Sequence, residues 1–179
     1  MHFEFIMEGF LNPTEVLKQL KLTKDMVAAD FGCGSGGWTI PLAKILNDGI
    51  VYAIDILEKP LAFLKSKMNL EKIKNIRLIK SDIENKKGST LPDNSVDIVL
   101  ITNLLFQIEK KDEVLKEAKR ILKDNGQLLI IDWKKESSLG PLTGRISLDE
   151  AKELALANGF QVEEEINVGP YHWALLLVK

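Results

Sequence analysis

The sequence is poor in cysteine and has no long hydrophobic run. Its single cysteine, Cys33, excludes a disulfide framework and gives no metal-binding spacing, so we expect no metal site. No stretch approaches the roughly eighteen consecutive apolar residues of a membrane span. The first residues also lack the basic region and cleavage site of a signal peptide. We therefore expect a cytoplasmic protein without a membrane span.

Neither sign of charge dominates the composition. The 24 Lys and Arg residues are nearly balanced by 26 Asp and Glu residues, which leaves a net charge of -2. Broad binding to nucleic acid needs clustered Lys and Arg, so this balance argues against a nucleic-acid partner. A hydrophobic share of 45% in 179 residues is sufficient for the core of one domain.

Glycine is concentrated at one informative place. An apolar run at residues 27–29 leads to Asp30 and to a loop that contains Gly32, Gly34 and Gly36. Glycine permits a positive φ and a close approach of the main chain to a ligand, and the helix that follows directs unpaired N–H groups at it. The loop therefore predicts a site for a nucleotide-like ligand.

The glycine pattern alone leaves two ligands open. Gly32, Gly34 and Gly37 also satisfy the dinucleotide fingerprint G-x-G-x-x-G. Under either interpretation a carboxylate about twenty residues further on binds ribose hydroxyls, and Asp55 is placed for that role. Other features of the sequence are needed to choose between the two ligands.

Strand and helix patterns alternate after the glycine loop. We predict strands at residues 27–29, 50–54, 76–79, 96–101 and 128–131, and helices at 14–20, 38–46, from 59 onward and at 112–122, where residues 125 and 126 stop the helix. Such alternation with apolar strands implies a parallel sheet covered on both faces, with ligands at the carboxyl ends of the strands.

The last part of the chain departs from this alternation. Ser147 and Glu150 form a capping-box pattern at the start of a helix, and two strands follow at residues 160–166 and 173–178. Their short connection makes them an antiparallel pair. We predict an α/β fold with a seven-stranded, mostly parallel sheet, helices on both faces and a C-terminal antiparallel hairpin.

From about residue 27 to residue 179 the sequence resembles the class I S-adenosylmethionine-dependent methyltransferases, and among them the ubiquinone/menaquinone-biosynthesis type. The resemblance rests on the glycine loop, on Asp55, on the closing hairpin and on three further segments. These segments are residues 81–83, 96–99 and 115–133. It implies a Rossmann-like fold with S-adenosyl-L-methionine as cofactor and S-adenosyl-L-homocysteine as product. The dinucleotide alternative loses support, because the chain has no Tyr-x-x-x-Lys pair and no room for a separate substrate domain.

The resemblance also implies which residues bind the cofactor. Asp55 would hold the ribose hydroxyls, Asp82 would accept from the adenine amino group, and Asn103 would lie beside the methionine sulfur. The remaining implied contacts are Ile56 and Ile83 on the adenine ring, Asp30 near the ammonium group, and the main chain of Gly32, Gly34 and Gly36.

Catalytic and acceptor-binding residues are harder to predict, because transfer from a sulfonium depends mostly on positioning. His172, in the final turn, is the candidate general base, although the same position suits a packed or solvated histidine. The acceptor candidates at the carboxyl edge are Phe106, Trp133, Arg145 and Tyr171. Arg145 with Lys134 and Lys135 favours an anionic acceptor, whereas the segment at 103–106 lacks both prolines of the Asn-Pro-Pro-Tyr/Phe motif and so argues against a base-amino acceptor.

The first 26 residues form an apolar N-terminal segment that we expect to act as a lid, with Asn12 and Pro13 beginning a helix packed on the core. Residues 27–179 form the methyltransferase domain. We expect in-line methyl transfer to a small molecule, enclosed by this lid or by a second subunit of a homodimer. A methyltransferase acting on protein or RNA, and a non-catalytic S-adenosylmethionine-binding protein, remain alternatives.

Overall fold

The computed structural model describes residues 11–179, in which seven strands form one sheet. The strands are β1 (Val27–Phe31), β2 (Ile50–Asp55), β3 (Ile76–Lys80), β4 (Val96–Thr102), β5 (Leu122–Trp133), β6 (Gln161–Glu165) and β7 (His172–Val178). The helices are α1 (Pro13–Leu17), α2 (Thr39–Ile45), α3 (Glu58–Glu71), α4 (Lys111–Ile121) and α5 (Leu148–Ala157), with a single 3₁₀ turn at Leu105–Gln107.

The sheet has the order β3-β2-β1-β4-β5-β7-β6. Strands β1 to β5 are parallel, and β7 is antiparallel to both β5 and β6. The predicted seven-stranded, mostly parallel sheet with an antiparallel C-terminal pair is therefore confirmed. Since the chain order reverses between β1 and β4, their carboxyl ends form the crevice where such sheets bind ligands.

Alternate residues of the strands supply two separate cores, one on each face of the sheet. In β1, Ala29 and Phe31 pack with α4 and α5, whereas Ala28 packs with α1, α2 and α3. This alternation follows from the two-residue period of a strand. Helices therefore cover both faces, as predicted.

Helix α1 is short but is well anchored. Asn12 caps it by accepting hydrogen bonds from the amides of Thr14 and Glu15, and Val16 and Leu17 are buried in the core. The helix ends at Leu17, earlier than the predicted residue 20. The predicted lid, which depends on Phe3, Phe5, Ile6 and Phe10, lies outside the described residues apart from Leu11.

Helix α4 and strand β5 meet at a different point from the one predicted. The helix ends at Ile121, and Leu122 is already extended and pairs with Val96 of β4. The amides of Asn94 and Ser95 donate hydrogen bonds to the last carbonyls of the helix, those of Arg120 and Ile121. The chain therefore leaves the helix before the Asn125-Gly126 stop signal, and β5 is longer than predicted.

Candidate functional site

A cavity of about 450 Å³ opens at the carboxyl ends of the first four strands. Seven of the nine predicted cofactor residues line it, namely Gly32, Gly34, Asp55, Ile56, Asp82, Ile83 and Asn103. The other two, Asp30 and Gly36, do not line it. The structure thus brings together residues from four separate strand ends that the sequence places far apart.

The glycine loop presents bare main chain to this cavity. Gly32, Gly34 and Gly36 all have positive φ, at 68°, 52° and 88°. A Cβ on Gly32 would collide with Leu104 and one on Gly36 with Leu64, but a Cβ on Gly34 would meet no atom within 4 Å. Gly32 and Gly36 therefore allow close packing, while Gly34 leaves open space in which a ligand can approach the backbone.

Asp55 is held in place by two backbone amides. Its Oδ2 accepts from the amide of Gly34 at 2.9 Å, and its Oδ1 accepts from the amide of Leu57 at 2.9 Å. The carboxylate thus connects the glycine loop to the start of α3. Each carboxylate oxygen can accept a further hydrogen bond, so Asp55 retains capacity for two adjacent hydroxyls.

Asp30 lies beneath the loop and is fully buried. Its Oδ2 accepts from the Thr39 hydroxyl at 2.6 Å, whereas its Oδ1 has no hydrogen-bond partner within residues 11–179. Burial raises the pKa of Asp30 to about 7, the Thr39 hydrogen bond opposes that rise, and the charge of Asp55 adds to it. Asp30 therefore titrates near neutral pH.

Two further polar side chains, those of Asp82 and Asn103, lie on other walls of the cavity. Asp82 accepts from the amide of Glu84 at 2.9 Å and from the side chain of Asn85 at 3.0 Å, which fixes its carboxylate after β3. Asn103 follows β4 with a positive φ of 50°. Its Oδ1 is buried without a hydrogen-bond partner among the described residues, so it is suited to a polar ligand group.

Asp132 organises the wall between β4 and α4. Its buried carboxylate accepts from the amides of Leu104, Leu105 and Phe106, and from that of Trp133. Burial raises its pKa, and these backbone hydrogen bonds oppose the rise. Because Leu104 lines the cavity, Asp132 supports the site without lining it.

Sequence reasoning missed this supporting role. The only signal was the position of Asp132 at the end of a predicted strand, next to Trp133. It also did not single out several other residues that line the cavity, namely Leu57, Pro60, Glu84, Leu104 and Ile108.

The predicted base, His172, is not brought to this cavity. It is 3% exposed, and its ring centroid lies 4.0 Å from that of Trp133. Burial lowers the pKa of His172 to about 4, with a further contribution from the charge of Lys134. The residue instead lines a separate cavity of about 270 Å³ between the β5–α5 and β6–β7 connections. Its role as a base stays a prediction, and the packed alternative agrees better with this position.

The predicted acceptor residues are not among those that line the 450 Å³ cavity. The guanidinium of Arg145 hydrogen-bonds to the carbonyls of Lys134, Ser137 and Leu139, and also to those of Lys135 and Pro141. These contacts fix a loop, and the binding of an anionic acceptor by Arg145 stays a prediction.

Phe106, Trp133 and Tyr171 surround the same loop. A Cβ on Gly144 would collide with the carbonyl oxygen of Phe106, and one on Gly140 would collide with the ring of Trp133. The carbonyl of Tyr171 accepts from the amide of Lys134. These residues therefore support the β5–α5 loop, and their contact with an acceptor stays a prediction.

Over residues 11–179, no group of three or more His, Cys, Asp or Glu side chains could hold a metal ion. In the same residues no helix has the length and apolar character needed to cross a membrane.

Comparison with known proteins places this geometry in a family. The model of the family described as "Methyltransferase domain" matches residues 22–167. A demethylmenaquinone methyltransferase of Geobacillus stearothermophilus is 30% identical over 127 residues, which are 70% of this chain and 53% of that protein. The chain thus spans about half the length of the curated relatives it matches.

Solved structures match over more of their length. A SAM-dependent methyltransferase from Aquifex aeolicus is 31% identical, with a TM-score of 0.86 over 94% of this chain and 90% of that one. A putative type 11 methyltransferase from Sulfolobus solfataricus is 35% identical, with a TM-score of 0.69 over 84% of this chain and 82% of that one. The chain therefore belongs to the methyltransferase domain family, and it has the fold of the class I S-adenosylmethionine-dependent methyltransferases.

Proposed function

We propose that this protein transfers a methyl group from S-adenosylmethionine to a small-molecule acceptor by in-line displacement. The observation that carries the proposal is the cavity in which Asp55, Asp82 and Asn103 converge around the open backbone of Gly34. Two features fit this cofactor. The space beside Gly34 admits the ligand close to the main chain, and the unpaired Oδ1 of Asn103 offers a buried acceptor.

Different residues would contact different parts of the cofactor. Asp55, already oriented by two amides, would accept from both ribose hydroxyls. Asp82 would accept from the adenine amino group, with Ile56 and Ile83 against the ring. Asn103 would lie beside the sulfur, Gly32, Gly34 and Gly36 would shape the loop, and Asp30 would contribute charge beneath it.

When bound, the cofactor supplies a methyl group on a positively charged sulfur, which is already a good leaving group. The protein's part is to orient the acceptor and to exclude water. Fixing two reactants in line can contribute up to about 7–11 kcal/mol. A base is required only if the acceptor is protonated at the working pH, and His172 stays the candidate for that step.

The acceptor class follows from the relatives and from the rim of the cavity. The curated relatives are named demethylmenaquinone methyltransferases, so demethylmenaquinone is the first compound to assay. Leu57, Leu104 and Ile108 line the cavity and suit an apolar acceptor. We propose the cytoplasm as the compartment, residues 27–179 as the catalytic domain, and residues 1–26 as a lid and helix that enclose the acceptor.

The test is release of S-adenosylhomocysteine, measured by mass spectrometry after incubation with S-adenosylmethionine and separate pools of small molecules, protein and RNA. We expect release with a small-molecule pool and its loss in Asp55→Ala. Release only with protein or RNA would replace this proposal with a macromolecular acceptor. Cofactor binding without release in any pool would indicate a non-catalytic binding protein.

A further inference from the structure

Two large apolar side chains are exposed on α3. Leu61 and Leu64 point into the core, whereas Phe63 and Leu70 are 56% and 83% exposed. Residues seven positions apart lie on the same face of a helix, so these two project outward together, with Ser66 and Lys67 between them. Ile56 and Leu57, 58% and 60% exposed, directly precede the helix.

The same segment carries a strong excess of positive charge. Residues 56–80 contain seven Lys and Arg residues and two Glu residues, a net charge of +5, although the whole chain has a net charge of -2. Both acidic residues are neutralised by other contacts, since Glu58 pairs with Lys80 at 2.8 Å and Glu71 pairs with Lys44 at 2.6 Å.

Four lysines of the same segment lack such partners. Within residues 11–179, the ammonium groups of Lys59, Lys65, Lys72 and Lys74 make no ion pair. Lys72 and Lys74 also line a cavity of about 380 Å³ beyond the end of α3. The "α3 ridge" here means Phe63 and Leu70 together with these four lysines.

We propose that the α3 ridge docks on the surface of an anionic lipid membrane. Exposed apolar side chains flanked by lysines are the features of a helix that lies in the plane of a membrane interface. The apolar residues would enter the boundary between headgroups and acyl chains, while the lysines contact anionic headgroups. The ridge thus binds peripherally, without any membrane-spanning helix.

The positive charge of this segment favours an anionic membrane as the partner over a second copy of the chain. In a two-fold symmetric dimer through the ridge, two segments of net charge +5 would face each other and repel. Broad nucleic-acid binding is disfavoured because contacts with phosphate groups leave the exposed Phe63 and Leu70 without a role.

Docking would also place the cofactor cavity near the membrane. Ile56 and Leu57, which directly precede α3, line the 450 Å³ cavity. A lipid-soluble acceptor could then pass from the membrane to the cavity mouth. This consequence rests on the proposed function, whereas the docking itself rests only on the residues of the ridge.

Sedimentation with vesicles tests the proposal. We expect the full chain to bind vesicles of phosphatidylcholine mixed with phosphatidylglycerol, to bind phosphatidylcholine alone much less, and to be released by salt. Removing charge in Lys59→Gln and Lys65→Gln should weaken binding about fivefold for each lysine. Phe63→Ser with Leu70→Ser should weaken it by about tenfold or more.

Matched controls separate the ridge from general charge and hydrophobicity. Lys86→Gln with Lys87→Gln removes the same charge elsewhere, and Leu142→Ser removes an exposed leucine from a loop outside the ridge. Both controls should bind vesicles as the parent does. Unchanged S-adenosylmethionine affinity in all variants would verify folding.

Three results would overturn the proposal. These are equal binding to neutral and anionic vesicles, no binding to either, and equal loss in the ridge and control variants. Self-association lost in Phe63→Ser, without vesicle binding, would assign the ridge to a second copy instead. The proposed function has its own test. It fails if the parent protein, measured without vesicles, neither binds the cofactor nor releases S-adenosylhomocysteine.

Discussion

At the scale of single residues, Asp55 is the side chain on which the proposed cofactor site depends most. Its carboxylate joins Gly34 to Leu57 and faces the cavity. We predict that Asp55→Ala weakens S-adenosylmethionine binding about tenfold to a hundredfold, since a hydrogen bond to a charged group contributes about 1.5–3 kcal/mol. Isothermal titration calorimetry measures the change.

The matched control for this variant is Asp48→Ala. Asp48 is exposed, pairs with Lys24 and lies outside the cavity lining. It should leave the affinity unchanged. Equal affinity in Asp55→Ala and the parent would remove Asp55 from the cofactor site.

Asp30 predicts a pH dependence of stability. Its ordinary pKa of 3.8 is raised to about 7 in the folded protein. Between these values the unfolded chain has lost the proton that the folded chain still holds, so the contribution of Asp30 to stability falls as the pH rises from 3.8 to about 7. Asp30→Asn cannot titrate, and its side-chain oxygen can still accept from Thr39.

The stability of Asp30→Asn relative to the parent should therefore increase with pH across that interval. Urea denaturation at several pH values measures the difference in unfolding free energy. A difference that stays constant over the interval would show that Asp30 is not shifted as described.

Residue positions were predictable where a motif or a strand end marked them. Asp55 and Asp82, each at the end of a predicted strand, line the cavity. Arg145 was not predictable, because its partners are loop carbonyls whose positions depend on tertiary packing. The contact between the rings of His172 and Trp133 also depends on tertiary packing and was not predictable.

At the scale of elements, the connection from β4 to α4 depends on a carboxylate from β5. Asp132→Asn replaces one acceptor oxygen with a donor that cannot bind the amides of residues 104–106. We predict a loss of about 1–3 kcal/mol in unfolding free energy and faster amide hydrogen exchange in these three residues. Exchange mass spectrometry and urea denaturation measure the two effects.

Asp124→Asn serves as the control, because Asp124 is exposed near the start of β5. It should change neither quantity. Unaltered protection of residues 104–106 in Asp132→Asn would mean that other contacts hold this wall of the cavity.

Element positions followed from hydrophobic periodicity, but some boundaries did not. The apolar face of α4 identified the helix, whereas its end at Ile121 is set by amides from residues 94 and 95. The Ser147 capping box was visible in sequence because both of its partners are local, and it is present. Long-range hydrogen bonds leave no comparable local pattern.

At the scale of the whole molecule, the sheet brings distant strand ends to one cavity. The alternation of strands and helices was enough to predict this arrangement, because parallel strands align their carboxyl ends. The face of α3 turned away from the core was not predicted, since an exposed Phe63 or Leu70 looks like a core residue in sequence. Apolar periodicity does not reveal what covers a helix from outside.

The most direct test of the central claim is a crystal structure of the protein with S-adenosylhomocysteine. We predict density for the ligand in the 450 Å³ cavity, with its ribose hydroxyls on Asp55, its adenine near Asp82 and its sulfur near Asn103. Density at another place on the protein, or an empty cavity at saturating ligand, would contradict the account.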